Sequence, residues 1–210
     1  MRDGEFPSLS LIPFTNAKLT LNQPNRLIAE INSDSPYVTY WTLTREGNDS
    51  VLTINTSLGK TSLLIPPNIL RAGLTHDFTV KVMNHQGSSS ATTELLANTI
   101  PCGGNFSISP DQGAALQTVF SLTLTGWRDE DLPLQYQFVL CDPWTGESQF
   151  LTSISLANVY QGVIGKLNPQ KRELLIEARV YDSYLDYARE VSWISLKNVE
   201  PQQAQTQFKK

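Results

Sequence analysis

Three consecutive acids, Asp129, Glu130 and Asp131, stand in the stretch GWRDEDLPLQYQF (126–138), between a tryptophan and an alternating apolar run. Carboxylates packed this densely serve one of three ends. They hold a hard cation, they act as an acid/base pair, or they make a wet turn in which Asp side chains accept nearby amide N–H groups. Calcium takes six to eight oxygens, so Asp129, Glu130 and Asp131 would need help, and Asp111, Asp182 and Asp186 are the acids to supply it. No D-x-D-x-D-G spacing accompanies them. Consecutive residues cannot face one another across a substrate, which disfavours the acid/base pair. A solvated turn is the expectation, with calcium as the alternative.

The other residues able to do chemistry are scattered. His76 and His85 flank one predicted strand at a spacing unsuited to a single metal, and surface positions at strand ends are expected for both. There is no G-x-S-x-G elbow, P-loop, G-x-G-x-x-G or zinc spacing, so no enzyme and no cofactor are expected. Cys102 and Cys141 either bond, closing a loop whose restriction would contribute about 3–4 kcal/mol, or remain two free thiols. Asn48, Asn55 and Asn105 each open an N-x-Ser/Thr glycan acceptor. Exposed Trp144, Tyr181, Tyr184 or Tyr187 would suit stacking on sugar rings, and core or edge packing is the plainer role for the same side chains.

The elements that position these residues are strands. Short apolar alternations recur: RLIAEI (26–31), YVTYWTL (37–43), DFTVKV (77–82), TVFSLTLT (118–125), LQYQFVL (134–140), ELLIEARVY (173–181) and EVSWISL (190–196). Turn residues such as EGND and NHQGSSS separate them. Only PPNILRAG (66–73) reads as helical, for about one turn. The pattern pauses at ANTIPCGGN (97–105), which predicts a domain edge. The resulting expectation is all-β: two tandem antiparallel β-sandwiches of immunoglobulin or fibronectin type III kind, over 1–98 and 99–199, followed by a disordered polar tail, 200–210. Alternation places Trp41, Phe78, Tyr136 and Phe138 as structural residues, with Trp127 closing the strand before the acids and Pro133 holding Leu132 extended ahead of the next strand.

The chain has 210 residues, enough for two real cores. Its formal net charge of −4 offers no broad basic surface, so nucleic acid is not an expected partner. No apolar run is long enough to span a bilayer, and the N-terminal residues do not read as a signal peptide.

The stretch PCGGNFSISPDQGAALQTVFSLTLTGWRDEDLPLQYQF (101–138) resembles the REJ (receptor for egg jelly) module of polycystins and sperm receptors. Ile108, Pro110, Gly113, Ala115, Leu116, Thr118, Phe120, Gly126, Trp127, Asp129, Asp131, Pro133, Leu134, Tyr136 and Phe138 fall in register with that pattern, and the likeness is best over 60–140. The resemblance implies a non-enzymatic interaction or spacer fragment on the extracellular side of a membrane, within a larger receptor or channel. Its partners would be protein or glycan ligands at a cell surface and neighbouring domains of the same protein. It implies one departure too: cysteines usually stand where Phe106 and Leu124 are here, so an apolar contact between these two would replace a disulfide.

Overall fold

The protein is described by a computed structural model over residues 6–45, 48–54 and 60–197. Asn55, the side chain of Asn48 and the tail 200–210 lie outside the described residues. The chain forms two compact units, Met1–Ile100 with Tyr184–Asp186, and Pro101–Ser183 with Tyr187–Lys210. Every described element is a strand.

The first unit holds β1 (Ser8–Leu11), β2 (Asn25–Asn32), β3 (Val38–Arg45), β4 (Asn48–Ile54), β5 (Ser62–Ile65), β6 (Thr75–Met83) and β7 (Ser88–Leu96). They make two antiparallel sheets, ordered β1-β2-β5 and β4-β3-β6-β7. Alternation sends Leu27 and Ala29 of β2, Leu63 and Ile65 of β5, Trp41 and Leu43 of β3, and Phe78 and Val80 of β6 into one core. The Trp41 and Phe78 rings are fully buried there.

Two local expectations fail in this unit. Residues 66–73 form turns rather than a helical turn, because Asn68 (φ 63°) and Gly73 (φ 70°) adopt left-handed backbone that no helix accepts. His76 is not at the surface: it shares the inward face of β6 with Phe78, is fully buried, stacks on the Phe78 ring at 6.5 Å, and places Nδ1 2.9 Å from the Leu74 carbonyl. The alternating burial of β6 begins at His76, two residues before Phe78, the first apolar position of the pattern, which draws in the histidine.

The second unit holds β8 (Asn105–Ser109), β9 (Gln112–Ala114), β10 (Val119–Thr125), β11 (Gln135–Cys141), β12 (Ser148–Phe150), β13 (Val159–Val163), β14 (Glu173–Tyr181) and β15 (Tyr187–Lys197). One sheet runs β13-β10-β8 and the other β12-β11-β14-β15-β9, antiparallel except where β9 lies parallel to β15. Phe120, Leu122 and Leu124 of β10 meet Phe138 and Leu140 of β11, Leu174, Ile176, Ala178 and Val180 of β14, and Ile194 and Leu196 of β15. Leu124 is the direct cross-strand partner of Phe106, and both belong to this core, so an apolar pair stands where the resemblance implies cysteines. Both units are thus the layered sandwiches of the immunoglobulin and fibronectin type III class.

Candidate functional site

The acidic turn follows from its neighbours. Gly126 (φ 74°) turns the chain out of β10, and Trp127 packs against the core of the second unit. Asp129 Oδ1 accepts the Asp131 N–H at 2.8 Å, closing a small side-chain-to-backbone turn. The Ser183 N–H donates to the Asp131 carbonyl at 3.0 Å, tying this turn to the end of β14. As a result, carboxylate oxygens of Asp129, Asp131 and Asp182 all lie within 4.8 Å of one another. Of the acids that the sequence offered as helpers, Asp182 joins this group. Asp111 lies elsewhere, beside Trp193, and Asp186 accepts the Leu21 and Asn22 backbone N–H groups in the first unit. Beyond the acids, Tyr136 packs against the core, Phe138 is fully buried, and Pro133 is exposed.

A second arrangement covers the outer face of the five-stranded sheet. On β15, Ile194 and Leu196 point into the core, so Val191 and Trp193 point outward and are 44% and 52% exposed. Beside them stands Trp144, 51% exposed, with its ring 5.9 Å from that of Trp193 and tilted by 53°. Trp144 is held by its own turn: Asp142 Oδ1 accepts the Trp144 N–H at 2.9 Å and the Thr145 N–H at 3.3 Å. Burial alone would push the Asp142 carboxyl up. The bonds from Trp144, Thr145 and Asn168 outweigh it and hold the group below the usual carboxylate range. The Lys171 ammonium lies 4.8 Å from the centre of the Trp144 ring.

Further along the same face, Glu177 of β14 is nearly buried and pairs with the Arg179 guanidinium, while the Arg189 guanidinium stands 3.5 Å away. Burial disfavours the Arg179 charge, but its bond to Glu177 prevails and raises its pKa above the ordinary value. Tyr181 is buried, donates its O–H to Gln137 Oε1 at 2.9 Å, and packs its ring 5.1 Å from that of Tyr187. Neither tyrosine is therefore as exposed as Trp144.

The cysteines are two free thiols, Cys102 exposed and Cys141 half-buried. No bond joins them. Cys141 follows inward-facing Leu140 and so points to the outer sheet face, whereas Cys102 pairs backbone to backbone with Arg128. Burial raises the Cys141 pKa, and the Glu177 charge adds to it. Asn105, at the head of β8, is exposed and paired opposite Thr125.

Trp193, Arg189 and Glu177 were not singled out in the sequence. The signal was present in EVSWISL, where both alternation classes contain apolar residues. A strand apolar on both faces in a two-layer fold must leave one of those faces outside the core.

A model of the REJ domain family matches residues 1–209. Among solved structures, the FN1–FN3 domains of chicken CNTN1 are similar at 10% identity, covering 92% of this chain and 68% of that one, with a TM-score of 0.39. A Dscam structure is similar at 12% identity and a TM-score of 0.35, and this chain spans under half its length (47%) while 93% of this chain is covered. The titin Z1Z2 domains, solved in complex with telethonin, are similar at 15% identity, covering 94% of this chain and 99% of that one, with a TM-score of 0.36.

Proposed function

The chain belongs to the REJ domain family, and on that footing we propose that it is a non-enzymatic interaction and spacer unit in the ectodomain of a polycystin-like membrane receptor or channel. REJ domains are extracellular parts of membrane proteins. The observation that carries the reading is the family match along essentially the whole chain. It is supported by the exposed Trp144 and Trp193 on the outer face of the five-stranded sheet, the kind of surface that a protein or glycan partner would meet. No described helix is long and apolar enough to cross a membrane.

The experiment is antibody labelling of intact cells that express the parent protein, with the antibody raised against this segment. Labelling without permeabilisation, together with an enzymatically removable glycan on Asn105, is the expected result. A segment reached only after permeabilisation overturns the reading.

One observation favours a second reading, a calcium-holding adhesion module: the convergence of Asp129, Asp131 and Asp182. The Asp131 N–H already bonded to Asp129 speaks for the solvated turn. Thermal unfolding in calcium and in chelator separates the two. A melting temperature that rises with calcium, and ceases to rise in Asp182→Asn, establishes the second reading; an unchanged one removes it.

A further inference from the structure

The two layers of the second unit differ in width. β13 ends the three-stranded sheet, and β12 ends the five-stranded one. The Tyr160 ring of β13 lies 6.5 Å from that of Phe138 in β11, so β13 faces β11 and β12 lies one strand further out. Gln149 of β12 marks the overhang. It pairs with inward-facing Leu140 and so turns toward the other layer, yet it is exposed, because no described strand lies beneath it. A strip beside β13 and under β12 is therefore open.

The β13 backbone is unpaired on that side. The Leu124 N–H donates to the Asn158 carbonyl at 2.9 Å, so Asn158 faces β10. Direction alternates along a strand, so Tyr160 and Gly162 face β10 as well, and Val159, Gln161 and Val163 turn their N–H and C=O groups toward the strip. Among the described residues no bond reaches those three N–H groups. Of the carbonyls, that of Val163 accepts the Tyr160 O–H at 3.2 Å and keeps a second lone pair. Edge strands are usually guarded by Lys, Pro or a bulge. Here the β10–β13 register is unbroken, and no charged residue stands between Glu147 and Lys166, although 17% of the chain is charged. Phe150, Ile154, Leu156, Val159 and Val163 are exposed along the same stretch. An uncharged, partly apolar edge with open ladder groups is a template for one more strand.

We propose that β13 pairs antiparallel with an uncharged extended segment of a partner protein, seated against Val159, Gln161 and Val163. Each of the three exchanges both N–H···O bonds with the residue opposite it. The chemistry of the segment follows from the lining. No group there would compensate a buried charge, and β-branched residues at alternate positions continue the outward-facing Val159 and Val163. A second copy of this chain cannot fill the strip with its own β13. The two-fold axis of such a pair stands perpendicular to the sheet, so both five-stranded layers would fall on one side, each β12 in the place of the other copy's β11. The occupant is a single strand with no second layer behind it. The proposal gives the interaction reading a partner class, and its biological use rests on that reading; the pairing itself does not.

A capped peptide of sequence NVYQGVI, residues 158–164 of this chain, supplies such a segment without a second layer, and nuclear magnetic resonance of the isotope-labelled chain reads its binding. With peptide up to about 1 mM, the amide signals of Val159, Gln161 and Val163 should shift and their hydrogen exchange should slow. The same peptide N-methylated at the three amides that face the edge should do neither. Gln161→Pro removes an N–H that faces the strip and none that bonds β10, and Val159→Lys sets a charge on the rim; each should weaken binding at least tenfold. If the proline variant loses its β-sheet circular dichroism, the lysine variant decides. Peptide that leaves these three amides unchanged overturns the proposal, and so does equal binding of the N-methylated form. Self-association through the same amides, seen on concentrating the chain without peptide, overturns it in favour of a second copy. None of these results bears on the cell-surface reading, which antibody labelling decides.

Discussion

The Trp127 indole lies so close over Gly104 that a Cβ built on that glycine would fall 2.2 Å from the ring carbons Cδ1 and Cγ. Glycine is required here by packing, because the backbone itself must come into contact with the ring. The ring is rigid and packed against the core, so it cannot retreat as a flexible side chain would. Gly104→Ala should therefore cost about 1–3 kcal/mol, the range for forcing extra volume into a packed site, read as a lowered denaturation midpoint.

The Asp142 turn predicts a dependence on acid. Bonds from Trp144, Thr145 and Asn168 overcome burial and depress the carboxyl pKa in the folded state. A depressed pKa contributes stability that is fully present above the unfolded value, about 3.9, and is lost as pH falls through the folded value. Asp142→Asn should thus lower the melting temperature at neutral pH. The gap from the unaltered protein should close as pH drops below about 4, in thermal scans across that range.

The two thiols should separate by reactivity. Cys102 is exposed, whereas Cys141 is half-buried with its pKa raised by burial and by Glu177. Since the thiolate is the reacting form, alkylation near pH 8 should modify Cys102 first and leave Cys141 lagging, as followed by peptide mass spectrometry. Equal rates would contradict the placement of Cys141 on the packed outer face.

Most of the layered architecture was legible because alternation reports directly on a two-sided strand. RLIAEI, DFTVKV and TVFSLTLT became β2, β6 and β10, and each buries one alternating set: Leu27 and Ala29, then Phe78, Val80 and Val82, then Phe120, Leu122 and Leu124. The pairing of Phe106 with Leu124 followed from the family resemblance and not from periodicity. What the sequence hid was set by tertiary context. His76 reads as polar, yet it occupies an inward position of β6; Asn68 and Gly73 break a stretch whose composition tolerates a helical turn. The meeting of Asp182 with Asp129 and Asp131 depends on the bond from Ser183 to Asp131, between residues far apart in the chain. The Trp144–Trp193 pair likewise joins a loop to a distant strand, a proximity that no local pattern encodes.

The account rests on a division between tryptophans of one unit: Trp127 packs against the core, while Trp193 stays exposed on the outer sheet face. Paired denaturation of Trp127→Ala and Trp193→Ala tests this most directly. Trp127→Ala should lose about 3 kcal/mol, as a large packed aromatic does on truncation. Trp193→Ala, 52% exposed in the intact protein, should stay within about 0.5 kcal/mol of it. A Trp193→Ala variant as destabilised as Trp127→Ala would show that the ring serves the core, and the proposed binding face would lose its basis.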